Sequence, residues 1–395
     1  RSSRSIILRY NCMDDSCTYI RLKSVKFISI NVTPITQWVF ANIGDADGVI
    51  QPVEITCGND TKHVAKLICD FISIIRNMPI EHESQLANVL DLKLRQLQND
   101  HLLATAISAL RTAIVCLQAV HRSINITEIL NATKQTRVPI YANINRSLFQ
   151  GKRSPEDFSH AAEKAVSLGF STIKCAPFDE VKNTFNPSHI MDAAKLGLKR
   201  VAFIRDNVGE DITLLVDCHG RFTRDTAILI AQELYPLNIG WLEEPVIPTD
   251  NTETLAEIAQ QIPIPLAGGE SGYGKLFFDD LIHTNATNIV MPDIKFCGGI
   301  VEAYKSGQHA LQSGAQVSLH NPSGPVSQLA SAHVTAAMTG AVALEYPVEE
   351  ADWRTDLMHP PENVHSGFFW LPEGAGLGAR LNNDLISHVG TTWDI

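Results

Sequence analysis

The chain has 395 residues, of which 45% are hydrophobic and 19% charged, and its net charge is −11. This length exceeds one small domain, and the composition can bury a large core. The acid excess excludes a general nucleic-acid surface and a polybasic membrane contact, while no uninterrupted apolar run reaches the roughly 18 residues of a membrane span. A small anionic substrate stays admissible, because a bound cation reverses the local field.

The Arg/Ser-rich start, Arg1 to Ser5, leaves a transit-peptide remnant and hence a mitochondrial location open. Eight cysteines, Cys12, Cys17, Cys57, Cys69, Cys116, Cys175, Cys218 and Cys297, are scattered without a C-x-x-C pair. That usage points to free thiols in a reducing compartment such as the cytoplasm. From about 20 to 135 the pattern is α+β. Alternating runs at Val25–Ile30 and Trp38–Ile43 lead to Asp47-Gly48, a hairpin signal before Val49-Ile50. Helical periodicity follows at about 61–77, 82–98 and 101–120.

From about 136 to 348 short β-rich runs alternate with amphipathic helices. The runs are 138–144, 170–175, 212–217, 239–243, 264–269, 287–292, 315–319 and 341–345. Ser154-Pro155-Glu156-Asp157 predicts a capped helix start and Gly169 its end, with Thr223 and Thr252 as later caps. Eight strands with intervening helices predict an α/β fold, a parallel barrel of the TIM type. An open doubly wound sheet is the alternative, but no G-x-G-x-x-G turn follows a strand.

Function in such barrels sits at the C-terminal strand ends. The third, fourth and fifth runs end in Asp217, Glu243 and Glu270, spaced 26 and 27 residues apart, one βα unit each. Parallel neighbours lie roughly 4.8 Å apart, so the three carboxylates converge, and an oxygen set of this kind suits Mg²⁺ better than zinc. The sixth and seventh runs end in Asp293 and His320. A carboxylate beside an imidazole sets its tautomer and raises its pKa, as a general acid requires. His219 lies two residues after Asp217, on the same side of the strand, as a second acid/base or an outer partner of the metal site. Lys174 ends the second run, where a lysine among apolar residues either binds an anionic oxygen or pairs within the barrel rim. Lys295 reads as structural. The eighth run ends in Glu345.

The series Asp217, Glu243-Glu244-Pro245, Gly269-Glu270, Asp293, Gly298-Gly299 and His320 resembles the enolase superfamily, mandelate racemase subgroup. Asp217-x-His219-Gly220-Arg221 and His320-Asn-Pro-Ser-Gly-Pro325 are most similar to its sugar-acid dehydratases, those of D-galactonate, D-gluconate and D-mannonate. The resemblance implies a (β/α)7β-type TIM barrel over 136–348 and an N-terminal α+β capping domain over 20–135. Residues 349–395 would return to the cap. It implies one Mg²⁺ per subunit on Asp217, Glu243 and Glu270. His219 would be the base and His320, paired with Asp293, the acid; Lys174 would assist catalysis, and Glu345 and Arg221 would bind substrate. It also implies a homo-oligomer. Where many members carry a second-strand Lys-x-Lys, this chain has Lys174-Cys175-Ala176, and Ala176 cannot move a proton. That argues against a racemase and shifts the base to His219. The activity implied is dehydration of a sugar acid to a 2-keto-3-deoxy acid. Epimerisation or cycloisomerisation through the same enediolate, or a relative without activity kept for binding, are the alternatives.

Overall fold

The computed structural model describes residues 18–133, 135–249 and 252–395. The Arg/Ser-rich start, Cys12 and Cys17 lie outside the described residues.

The N-terminal sheet is an antiparallel meander of β1 (Leu22–Thr33), β2 (Thr36–Asp45) and β3 (Ile50–Glu54). The Asp47-Gly48 hairpin forms as expected: the Asp45 carboxylate accepts from the amides of Asp47 and Val49, and Gly48 takes the positive φ of 86° that the turn needs. Period-2 alternation gives the sheet two buried faces. Phe27, Val39, Ala41 and Ile43 pack on the cap's own helices, whereas Ile28, Ile30, Trp38 and Phe40 join the core of the barrel.

The cap helices are α1 (Thr61–Ile75), α2 (Gln85–Val89), α3 (Leu94–Asn99), α4 (His101–His121) and α5 (Ile126–Ile129). The single helix expected over 82–98 is two short ones. Asp91 takes a left-handed φ of 50°, which ends the first turn, and only an Asx-type residue or glycine enters that region cheaply. Helix α4 is long and apolar enough to cross a membrane, but 83% of its most apolar window is buried inside the fold. Its apolar residues serve both cores, Ile107, Leu110 and Ile114 that of the cap and Val115, Cys116 and Ala119 that of the barrel, and Arg111 pairs with Glu83 of the cap and, at 2.9 Å, with Glu302.

Strands and helices then alternate: β4 (Arg137–Asn143), α6 (Pro155–Ser167), β5 (Thr172–Cys175), α7 (Pro187–Val208), β6 (Thr213–Asp217), α8 (Arg224–Leu234), β7 (Ile239–Glu243), α9 (Thr252–Ala259), β8 (Leu266–Gly268), α10 (Lys275–His283), β9 (Ile289–Val290), α11 (Ile300–Gln312), β10 (Gln316–Val317), α12 (Pro325–Ala337) and β11 (Leu344–Pro347). Ser154 caps α6 as expected, its hydroxyl accepting from the Asp157 amide, and Thr223 caps α8. Thr252 does not act as the expected cap. It is the first helical residue of α9, and its hydroxyl donates to Asp280.

Neighbouring strands pair in parallel from β4 through β10, and β11 pairs in parallel with β4. The seam between β10 and β11 is bridged by the Val342 amide donating to the Val317 carbonyl. The result is a TIM-barrel-type α/β fold with an N-terminal capping domain. Inside, Tyr141, Leu215, Trp241, Ala267, Ile289 and Met291 form one apolar layer. Two residues further along, the same face carries Asn143, Asp217, Glu243 and Asp293.

After β11 come β12 (Met358–His359), β13 (Asn363–His365), β14 (Phe368–Trp370), β15 (Arg380–Leu381), α13 (Asn383–Val389) and β16 (Gly390–Trp393). Strand β14 pairs antiparallel with the start of β4, and β16 adds to the free edge of β1 in the cap.

Candidate active site

The polar layer lies at the C-terminal ends of the strands. Asp217 and Glu243 are direct cross-strand partners and both are buried. Glu270 follows β8 through Gly269, whose φ of 107° turns the chain sharply. Donor atoms of Glu243, Glu270 and His320 all lie within 4.8 Å of one another. Asp217, the third carboxylate expected in the set, turns to His219 instead, with Oδ2 2.8 Å from Nε2 and Oδ1 accepting from the His219 amide. It remains in register beside Glu243.

His320 is held at both ring nitrogens. Its Nδ1 lies 2.9 Å from Asp293 Oδ2, and its Nε2 lies 3.1 Å from Glu270 Oε2. Burial opposes its charge, but Glu270, Glu345 and Asp293 outweigh burial and push the imidazole up to about 10. Asp293 is held low: Lys295, 3.7 Å away, and His320 overcome the cost of its burial. His219 is raised to about 9, chiefly by Asp217. Its side chain is 46% exposed, with a φ of 50°, so it stands at the open mouth. The strands bearing His219 and His320, β6 and β10, are four apart in a ring of eight, on opposite sides of the mouth.

Lys174 is placed below the site rather than in it. It is wholly buried, with Nζ 2.7 Å from Glu243 and 2.8 Å from Glu345. Of the two expectations for this lysine, pairing within the barrel describes its position. Glu345 is likewise enclosed: Oε1 also accepts from Asn143 Nδ2 at 2.7 Å, and Oε2 from the Asn321 amide at 2.7 Å. Arg221, expected to meet substrate, turns away. Its Nη1 donates to the carbonyls of Asp179 and Val181, tying down the loop after β5. Ala176 is buried, its amide held by Asn145, so no proton carrier stands at that position.

Two side chains that support the site received no role in the sequence reading. Asn143 ends β4 in the polar layer, and the strand-end rule applied to the other seven runs would have found it. Glu244 has a strained φ of 37°, and its Oε1 accepts from the amides of Gly269 and Glu270, which fixes the Glu270 turn. Burial, then the charge of Glu270, pushes its carboxyl well up.

The residues fit a divalent cation. The donors are hard carboxylate oxygens, burial drives Glu243 up, and buried Glu270 Oε2 meets His320 Nε2 at 3.1 Å only as an ion pair without hydrogen-bond geometry. Mutual repulsion among Asp217, Glu243 and Glu270 is what a cation at this point relieves.

A family model, enolase C-terminal domain-like, matches residues 157–385, more than half of the chain. The chain belongs to that family. It is similar to a D-xylonate dehydratase of Haloferax volcanii, 33% identical over 47% of this chain and 45% of that protein. It is also similar to a D-galactarolactone cycloisomerase of Agrobacterium fabrum, 27% identical over 72% of this chain and 73% of that one. Sugar-acid dehydratases recur among curated relatives at 27–33% identity, and the chain spans about half the length of those it matches. A crystal structure of an enolase superfamily member from Salmonella Typhimurium superposes with a TM-score of 0.83, covering 95% of this chain and all of that one at 22% identity. Membership of this superfamily implies a divalent metal.

Proposed function

We propose that the protein is a Mg²⁺-dependent lyase that dehydrates a sugar acid, a 2,3-dihydroxy carboxylate, to a 2-keto-3-deoxy acid. We read its barrel as (β/α)7β, with one Mg²⁺ per subunit held by Asp217, Glu243 and Glu270. The observation that carries the reading is the pair of imidazoles on opposite sides of the mouth, each beside its own aspartate, with the carboxylates between them. The similarity to sugar-acid dehydratases supports the same class.

Bound at this point, Mg²⁺ would stabilise negative charge on the substrate carboxylate and compete with His219 for the charge of Asp217. His219 would be the base that takes the C2 proton, on a ring nitrogen free of Asp217, which holds Nε2 in this structure. The electron pair left at C2 forms an enediolate with the carboxylate. His320 carries its proton on Nε2, because Asp293 engages Nδ1, and delivers it to the 3-hydroxyl, which leaves as water. The enol then tautomerises to the ketone. From beneath the site Lys174 holds Glu345 low against its burial and offsets part of the burial that drives Glu243 up. Each acid/base group contributes about 10²–10⁴-fold.

A second reading, cycloisomerisation, is favoured by the Agrobacterium relative. It uses the same proton abstraction but releases no water. The test is Mg²⁺-dependent release of keto acid from a library of sugar acids, read by a colour reaction. Keto acid from one member supports dehydration. Deuterium incorporation into recovered substrate, or lactone rearrangement without keto acid, sinks it.

A further inference from the structure

Helix α12 follows the loop that carries His320, and it lacks an N-cap of its own. Its N-cap residue is Gly324, which has no side chain to accept from the first turn. The acceptor comes from the other domain. Glu54, the last residue of cap strand β3, takes the Gly324 amide on Oε1 at 2.8 Å and the Ser327 amide on Oε2 at 3.1 Å. Those are the N-cap and N3 amides, two donors that a helix leaves without internal partners. The carboxylate is buried and sits at the positive end of the helix, where a negative charge is favoured. Thr56 completes its shell, donating to Oε1 at 2.9 Å. Glycine at 324 permits the approach, since a Cβ there would lie 3.1 Å from both carboxylate oxygens and 2.9 Å from the Trp38 ring.

The first turn of α12 continues the link toward the acid. Gln328 Oε1 accepts from Asn321 Nδ2 at 2.6 Å, and Gln328 Nε2 donates to the Glu345 carbonyl at 3.1 Å. The Asn321 amide in turn donates to Glu345 Oε2. Asn321 is the neighbour of His320. On the far side, Arg354 Nη1 donates to the Ser323 carbonyl at 2.9 Å.

We propose that Glu54 is a positioning residue: the capping domain supplies the N-cap of barrel helix α12 and thereby holds the loop that presents His320. The cap would then do more than enclose the substrate, because its seating on the barrel and the placement of the acid become one event. The catalytic half of this inference rests on the proposed dehydration; the structural half does not.

The test compares Glu54→Gln and Glu54→Ala with the unaltered protein by amide hydrogen exchange and by steady-state kinetics with Mg²⁺ present. Loss of a cap predicts exchange over 320–328 faster by about tenfold in the alanine variant and less in the glutamine variant, which keeps one acceptor. The cap strands and the strands β5 to β8 keep their protection. On a sugar acid that the protein turns over, kcat falls by about tenfold or more with KM within about twofold, since the acid acts on a substrate already bound. Unchanged exchange over 320–328, or an increase spread evenly over the chain, overturns the latch whatever the activity. Local loosening with kcat intact overturns the link to His320. Should no sugar acid be turned over by the unaltered protein, the dehydratase reading fails while exchange still decides the latch.

Discussion

His320 Nδ1 lies 2.9 Å from Asp293 Oδ2, both on the buried side of the barrel mouth, while His320 Nε2 faces Glu270 at 3.1 Å. One ring thus joins a carboxylate that orients it to a carboxylate of the candidate metal set, and the first question is which role the ring has.

If His320 is the acid and not a ligand, His320→Asn loses about 10²–10⁴-fold in kcat. Its Mg²⁺ affinity, read by calorimetric titration, stays within a few-fold of the original. A variant that no longer binds Mg²⁺ reassigns His320 to the metal.

Asp293→Asn addresses the proton itself. The Asp293 carboxylate favours the charged imidazolium, so neutralising it lowers the His320 pKa from its raised position near 10. The acid form is lost as pH rises through that pKa. The alkaline limb of the kcat–pH profile therefore moves to lower pH in the variant. A limb that stays or moves upward removes Asp293 from this role.

Glu270→Gln keeps the shape of the side chain but removes one hard, charged donor. Divalent-metal affinity should fall by at least about 10–100-fold, the scale seen even for outer partners of metal ligands. Chelation of the unaltered protein should abolish keto-acid release, and Mg²⁺ should restore it. Equal titration curves for the two proteins would exclude Glu270 as a ligand.

Lys174→Met strands Glu243 and Glu345 as buried, uncompensated carboxylates. Removing one partner of a buried pair costs about 3–5 kcal/mol. Urea unfolding should show that loss, and Glu345→Gln added to Lys174→Met should recover part of it. A single variant as stable as the parent would mean that the two carboxylates take up protons at little cost.

The order of strands and helices was legible from residue 136 onward, because each short strand alternates faces and each helix carries a stripe, and both periods are local. The same locality placed Asp217, Glu243, Asp293 and His320 at strand ends, since side chains two apart share a face. The break at Asp91 was not legible, because the helical period continues through it and only a left-handed φ reveals it.

By itself the sequence determined which residue types stand at the mouth of the barrel and in what order around it. The tertiary structure decided what each of them touches. Ring closure brings Lys174 onto Glu243 and Glu345, Arg221 reaches the loop after β5, and the seating of the cap carries Glu54 across 270 residues to the start of α12. The physical reason is one of range. Periodicity is written in neighbours a few residues apart, whereas a buried charge must find a partner wherever the closed barrel and its cap place one.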